Sequence, residues 1–202
     1  STLSPSSAAS DVYKRQGMII TMVAFLIYTV YEFVVSLLNT NKKAYIDSKT
    51  KLLNKAYWED LVKEVFSADE QTAMIMFDLN SLKHTNDTLG HNTGDKMISE
   101  FSSILKNELG SKELLCRWGG DEFTVFVRNA DREKTEEYIS AVNNAVAAYN
   151  RSGKTPEIYF ACGYALSCDF PGISWPELLA KADEYMYENK KRWYSENLTD
   201  VR

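Results

Sequence analysis

Residues 114–127 read LLCRWGGDEFTVFV, two apolar segments on either side of a Gly-Gly pair. Apolar segments joined by a short glycine-containing turn are typical of a β-hairpin. The second segment begins after two adjacent carboxylates, Asp121 and Glu122. We therefore predict two neighbouring strands, 114–118 and 122–127, with acidic side chains at the end that carries the turn.

The segments around this hairpin alternate between predicted strands and predicted helices. Residues 72–79 (TAMIMFDL) and 158–166 are short apolar runs typical of buried strands. Apolar residues recur at helical spacing in four further stretches, and Asp47-Ser48 is a candidate cap for the first. These stretches are 47–66, 93–109, 131–149 and 175–192. The pattern predicts an α/β (α+β) layer fold with a mixed central sheet.

The composition is that of a folded protein. Of 202 residues, 45% are hydrophobic and 25% charged, and the 9 glycines and 4 prolines are too few for a collagen-like or Pro/Gly-rich disordered chain. Cys116, Cys162 and Cys168 are too few for a disulfide scaffold and match no zinc-ligand spacing, and their odd number suits a reducing compartment. The length allows one ordinary domain plus an appendage.

The charge is distributed unevenly along the chain. The net charge is −5, and residues 1–46 carry four basic but only two acidic residues, so the acidic excess lies in residues 47–202. An acidic body repels a phosphate backbone, which argues against nucleic acid as a partner. A nucleotide is not excluded, because a bound metal ion can supply positive charge.

An apolar stretch near the N-terminus has the length of a membrane span. Residues 18–38 (MIITMVAFLIYTVYEFVVSLL) contain one charged residue, Glu32, and a helix of 21 residues is about 30 Å long. The alternatives are a buried core helix and a signal peptide, although no small-residue cleavage site follows. We predict a membrane span, flanked by four further segments. The predicted order is a disordered or non-native segment (1–16), the transmembrane helix (17–38), a linker (39–46), the soluble domain (47–195) and a tail (196–202).

Three polar clusters in the soluble part indicate chemistry. They are Phe77-Asp78-Leu79-Asn80 at a strand end, the loop from Asn86 to Asp95, and Arg117–Phe123 around the Gly-Gly turn. Carboxylates at the ends of neighbouring strands are the ligands that Mg²⁺ prefers, and such a site can activate a hydroxyl and stabilise a leaving oxygen. Taken singly, each cluster is also compatible with an ordinary cap or a solvated turn.

Taken together, these residues resemble the GGDEF family of diguanylate cyclases. The resemblance rests on Phe77-Asp78, Lys83, Asn86-Asp87, Gly90-His91, Gly94-Asp95 and Arg117-Trp118-Gly119-Gly120-Asp121-Glu122-Phe123. An opening motif (Asp47, Thr50, Leu52, Asn54-Lys55) and a closing helix (Ala182-Asp183, Tyr187, Lys190) are also similar to the family's, so the likeness covers about 47–195.

The resemblance implies a fold and an activity. The fold is a palm-like sheet wrapped by helices. The family condenses two GTP into cyclic di-GMP and two pyrophosphates with Mg²⁺ or Mn²⁺, each 3′-hydroxyl attacking the partner's α-phosphate in a homodimer. For this chain it implies a cyclase anchored in the inner or cell membrane, with its catalytic domain in the cytoplasm.

The resemblance also implies roles for the metal-binding and catalytic residues. Asp78 would bind metal through its carboxylate and Leu79 through its backbone carbonyl. Asp121 would be the second metal carboxylate and help to deprotonate the 3′-hydroxyl. Glu122 would be a further metal ligand or an electrostatic support, and Lys83 would stabilise charge on the triphosphate.

The remaining roles concern substrate binding. Asn86 and Asp95 would hydrogen-bond the guanine edge, and Lys190 would reach the β- and γ-phosphates. His91 would line the same pocket or stabilise its loop. Gly119 and Gly120 would form the close turn.

Some positions depart from the family pattern. Asn80 stands where the family often has Asp, and Trp193 and Tyr194 stand where it has Gly and Arg. Arg192 is a candidate to replace that arginine. Two alternatives remain: a catalytically degenerate domain that binds GTP or a partner, and a cyclase that makes a different dinucleotide.

Overall fold

The computed structural model describes residues 5–67 and 70–197, so the predicted tail lies outside the described residues from position 198 onward. The chain divides into two compact units between Ala44 and Tyr45.

The described part of the first unit is helical, and its helix, α1 (Pro5–Tyr45), ends at the first residue of the second unit. Its segment Val12–Ser36 is long and apolar enough to cross a membrane, and no part of the apolar window is buried. The sequence predicted a disordered segment up to residue 16 and a linker at 39–46, whereas α1 runs through 5–16 and 39–45. These flanks contain no glycine and no proline beyond Pro5, so nothing terminates the helix that the apolar stretch begins.

The second unit is an α/β domain. Within the described residues from 45 onward, it contains a five-stranded sheet and five α-helices, with a 3₁₀ turn at Ser167–Asp169. The elements are β1 (Leu53–Asn54), α2 (Lys55–Val65), β2 (Thr72–Leu79), α3 (Leu82–Leu89), α4 (His91–Leu109), β3 (Leu114–Arg117), β4 (Glu122–Arg128), α5 (Arg132–Arg151), β5 (Phe160–Leu166) and α6 (Trp175–Asn197). The predicted fold class is confirmed.

The sheet is mixed and has the strand order β1-β3-β4-β2-β5. Strand β1 runs parallel to β3, whereas the β3–β4, β4–β2 and β2–β5 pairs are antiparallel. Strands β3 and β4 form the predicted hairpin. The register of β2 and β4 places Asp78 directly opposite Glu122, so two of the predicted acidic residues are neighbours at one end of the sheet.

Helices cover both faces of the sheet. All eight residues of β2 are buried, which explains why this strand is continuously apolar up to Asp78. Helices α4 and α5 cover one face, with a core that includes Ile75, Phe77, Phe101, Phe123, Val125 and Val142. Helices α2 and α6 cover the other, with Trp58, Val62, Met74, Met76, Phe126, Leu178, Ala182 and Met186.

The first helix of this unit begins later than predicted. Asn54, not Asp47, caps α2, and its side chain accepts a hydrogen bond from the Tyr57 N–H. Asp47 instead accepts from the backbone N–H and the hydroxyl of Thr50, and forms an ion pair with Arg117. The prediction was wrong because Asp47 closes its own turn, which leaves the following residues free to form strand β1 beside β3.

Strand β5 and helix α6 approach each other closely at Gly163. A Cβ at this position would lie 2.5 Å from the Ala182 carbonyl oxygen and 2.6 Å from the Tyr185 carbonyl carbon. Such contacts are too short to relax by moving a side chain, because both partners are backbone atoms of α6. Glycine at 163 therefore sets the position of the helix that carries Lys190.

We expect Gly163→Ala to lower the free energy of unfolding by about 2 kcal/mol, since the added methyl group must push α6 away from the sheet. The control is Gly120→Ala, because a Cβ at Gly120 meets no atom within 4 Å. Urea denaturation in detergent, followed by tryptophan fluorescence, measures both variants. Equal stabilities for the two variants would contradict the close packing at Gly163.

Candidate active site

A buried ion pair lies at the end of β2. The Lys190 ammonium donates a hydrogen bond of 2.6 Å to the Asp78 Oδ1. The Asp78 side chain is 5% exposed and that of Lys190 24% exposed. Because Lys190 belongs to α6 and Asp78 to β2, the ion pair connects α6 to the acidic end of the sheet.

The site holds more negative than positive charge. Burial raises the pKa of the Asp78 carboxyl, and the charges of Asp121 and Asp183 raise it further against the opposing effect of Lys190. Burial likewise raises the pKa of Glu122, with contributions from Asp121, Asp78 and Asp183. Although burial opposes it, the hydrogen bond and charge of Asp78 leave the pKa of Lys190 raised. The carboxylates repel one another, so a cation would stabilise their ionised forms.

Asp183 is a member of this cluster that the sequence analysis did not assign to the site. It acts electrostatically on both Asp78 and Glu122. Its position seven residues before Lys190 is the signal that could have identified it, since residues two helical turns apart lie on one face of a helix.

Backbone hydrogen bonds fix the turn that carries Asp121. The N–H groups of Trp118 and Gly119 donate to the Glu122 carbonyl oxygen at 2.8 and 3.2 Å, and the Leu79 N–H donates to the Asp121 carbonyl oxygen at 3.0 Å. A Cβ at Gly119 would lie 2.6 Å from the Glu122 Oε2, so a side chain at this position would displace the Glu122 carboxylate. The turn is thereby tied to the end of β2.

Arg117 stabilises the same turn from the other side. Its guanidinium donates to the carbonyl oxygens of Gly119 and Gly120, at 3.1 and 2.7 Å, and pairs with Asp47. Hydrogen bonds from Thr50, together with Arg117, hold the pKa of Asp47 below its usual value in spite of partial burial. The segment that precedes β1 is therefore connected to the hairpin turn.

A cleft of about 620 Å³ opens beside this turn and brings together four of the predicted residues, Leu79, Lys83, Asp121 and Lys190. It is also lined by residues that the sequence analysis did not assign to the site: Ser81, Leu82, His84, Asp87 and Tyr194. The two ammonium groups of Lys83 and Lys190 are suited to hold a polyphosphate, and the carboxylate of Asp121 is suited to accept a proton beside it.

The residues predicted to read the base lie on α3 and α4, outside the lining of this cleft. The Asn86 side chain packs against Gly94, where a Cβ would collide with it. Asp95 forms an ion pair with Lys49 in which both side chains are about half exposed, 46% and 47%. His91 is exposed at the first residue of α4. The predicted site residues thus form two groups, one at the cleft and one at the α3–α4 junction.

The predicted metal ligands supply suitable donor atoms. Asp78 and Glu122 are adjacent in the sheet, Asp121 follows in the turn, and all present carboxylate oxygens, which suits a hard divalent cation. Across residues 5–67 and 70–197, no group of three or more His, Cys, Asp or Glu side chains is already close enough to hold an ion. The residues fit a metal by donor chemistry and charge, while Lys190 occupies one oxygen of Asp78.

Arg192 does not lie in the cleft of Lys83 and Lys190. It lines a separate cleft, with Cys162, Tyr185 and Asn189. The reason is helical geometry: residues 190 and 194 are four apart and share a face of α6, whereas residue 192 points elsewhere. Tyr194, and not Arg192, therefore lies beside Lys190 in the cleft, where Arg192 was considered as a replacement for the family's arginine.

Comparison with known proteins identifies the family. Residues 44–195 match the family model described as diguanylate cyclase, GGDEF domain. The chain is 28% identical over 149 residues to YtrP of Bacillus subtilis and 27% identical over 154 residues to the diguanylate cyclase DosC of Escherichia coli. These matches cover 72% and 73% of the chain but 24% and 33% of the relatives, so the chain spans a quarter to a third of their length.

A solved structure supports the fold. The coiled coil and GGDEF domain of DgcB from Caulobacter crescentus, determined in complex with c-di-GMP, superposes with a TM-score of 0.73 at 20% identity, covering 86% of this chain and 95% of that one. The family match includes the acidic cluster, the hairpin turn and both groups of predicted site residues. The chain belongs to the GGDEF family.

Proposed function

We propose that this protein is a membrane-anchored diguanylate cyclase that condenses two GTP into cyclic di-GMP and two pyrophosphates. The observation that carries the proposal is the cleft in which Lys83, Lys190 and Asp121 meet beside the buried Asp78. Membership of the GGDEF family and the likeness to DosC support the same activity.

The reaction needs charge neutralisation and a proton acceptor. The 3′-oxygen of one GTP bonds to the α-phosphorus of the other while the bond from that phosphorus to pyrophosphate breaks. Lys83 and Lys190 offset the charge of the triphosphate, and Asp121 accepts the hydroxyl proton. A Mg²⁺ or Mn²⁺ ion held by Asp78, the Leu79 carbonyl, Asp121 and Glu122 would supply further positive charge at the phosphates.

The cyclic product requires two such attacks, one in each direction. Since each domain offers one cleft of this kind, we propose that two copies of the chain face each other during catalysis. Helix α1 supports this arrangement, because anchoring both copies in one membrane raises their effective concentration.

We expect Asp121→Asn to lower cyclic di-GMP formation at least about a hundredfold, because a proton acceptor and a metal carboxylate are both lost. The full chain in detergent is incubated with GTP and Mg²⁺, and the products are identified by mass spectrometry. The control is Asp87→Asn, since Asp87 lines the same cleft without an assigned role.

Three outcomes of this assay have different meanings. Removal of divalent cations with EDTA should abolish product formation. A different dinucleotide from the unaltered chain would replace the proposed product. GTP binding without any product would favour a catalytically degenerate domain.

We expect Asp95→Asn to weaken GTP binding about ten- to hundredfold, since a hydrogen bond to a charged partner contributes about 1.5–3 kcal/mol. ATP binding should not change, because adenine lacks the N1–H and N2–H donors. Competition with a fluorescent GTP analogue measures both nucleotides. The matched control is Lys49→Gln, which removes the ion-pair partner of Asp95 but keeps the carboxylate.

We expect the full chain to stay in the membrane pellet after extraction with alkaline carbonate, since Val12–Ser36 has the length and composition of a span. Residues 45–202, which form the second compact unit, should appear in the supernatant. Release of the full chain by carbonate would refute the membrane anchor and leave the proposed chemistry intact.

A further inference from the structure

We propose that Tyr194 binds the triphosphate of the substrate, by donating its hydroxyl proton to a β- or γ-phosphate oxygen. The inference rests on the proposed function for the identity of the substrate, and on the structure for the position of the hydroxyl. The proposal assigns the phosphate contact to the Tyr194 hydroxyl and not to Arg192, because Arg192 lies in another cleft.

The hydroxyl of Tyr194 has a proton available for a ligand. Its oxygen accepts a hydrogen bond from the Ser81 N–H at 3.2 Å. A phenol has one proton to donate in addition to its lone pairs, and in the described part of the chain no acceptor takes that proton. The donor lines the cleft that also contains both lysines, so its natural acceptor is an anion bound there.

The position of Tyr194 on α6 matches that of Lys190. The two residues are four apart, on one face of the helix, and both line the same cleft. A phosphate chain held by Lys190 would therefore lie within the same part of the cleft as the hydroxyl. A hydrogen bond from a neutral donor to an ionised phosphate is charge-assisted and stronger than one between neutral groups.

Neighbouring aromatic rings hold the phenol in place. Trp193 meets the Tyr194 ring edge-on at a centroid distance of 5.0 Å, and also packs on Tyr159 at 5.8 Å. Ser81 has a left-handed backbone, with φ of 61°, and the bond to Tyr194 satisfies its N–H group. The hydroxyl thus joins α6 to the segment that leads into Lys83.

This geometry allows a second explanation, in which Tyr194 only stabilises the turn at Ser81. The two explanations differ in the ligand that they affect. A phosphate contact matters for GTP and not for GMP, which lacks the β- and γ-phosphates. A distorted turn would displace the neighbouring α3, which carries the base-binding candidate Asn86, and would change the binding of both nucleotides.

The test uses the full chain in detergent and measures GTP and GMP binding by competition with a fluorescent GTP analogue. Tyr194→Phe keeps the ring and removes the hydroxyl. We expect it to weaken GTP binding about tenfold or more, the range for a hydrogen bond to a charged group, and to change GMP binding less than twofold. Two controls should leave both affinities unchanged: Tyr187→Phe, an exposed tyrosine of the same helix, and Arg192→Gln.

Each other outcome overturns the proposal in a recognisable way. An equal loss for GTP and GMP would show a structural role at Ser81. A selective loss of GTP binding in Arg192→Gln alone would assign the phosphate contact to Arg192. Unchanged GTP binding in Tyr194→Phe would exclude the contact, and absence of GTP binding in the unaltered chain would refute both proposals.

The binding test is independent of the proposed activity. If the unaltered chain forms no cyclic di-GMP while Tyr194→Phe still loses GTP selectively, the cyclase proposal fails and the assignment of Tyr194 holds. If cyclic di-GMP forms normally and Tyr194→Phe binds GTP as tightly as before, the cyclase proposal holds and the assignment of Tyr194 fails.

Discussion

The ion pair between Asp78 and Lys190 is the interaction on which the candidate site depends. It joins the acidic end of β2 to α6, and its carboxylate is almost completely buried. Removal of one partner from a buried ion pair destabilises a protein by about 3–5 kcal/mol, because the other charge is left unpaired. Substitution of either Asp78 or Lys190 would have this effect. Because Asp121, Glu122 and Asp183 add further negative charge nearby, the lysine balances a cluster rather than one residue. The cleft follows from this arrangement, since the same helix face that carries Lys190 also carries Tyr194.

Much of the fold could be predicted from local patterns. Strand β2 was predicted at its observed bounds because it is buried on both faces and therefore continuously apolar. The hairpin was predicted from a glycine pair between apolar segments, and its register explains why Asp78 and Glu122 are neighbours. The helix after Asp47 was placed too early, because an Asp that caps a helix and an Asp that closes an isolated turn look alike in sequence. Contacts with Arg117, 70 residues away, decide between the two.

The sequence supplied candidate site residues but not their arrangement. Family resemblance named Lys83, Asp121 and Lys190, and the structure places them around one cleft. It could not show that Asp95 pairs with Lys49, since the partners are 46 residues apart. Nor could it show which way Arg192 and Tyr194 point, because that depends on how α6 is rotated against β5. Gly163 sets this packing, and a glycine in a strand carries no visible signal of the helix that it meets.

The two lysine–carboxylate pairs of the site differ in burial, and this difference bears on how a nucleotide would enter. Lys49 and Asp95 are both about half exposed, and such pairs contribute about 0–1 kcal/mol, so a base could replace Lys49 at little cost. Asp78 and Lys190 are far more buried, and separating them without a replacement charge would leave a carboxylate unpaired in a low-dielectric surrounding. A nucleotide that brings phosphates and a divalent ion together supplies both replacements at once, an anion for Lys190 and a cation for Asp78. The Lys49–Asp95 pair can therefore be exchanged by itself, whereas the cleft at Asp78 and Lys190 would favour a ligand that brings a cation with it.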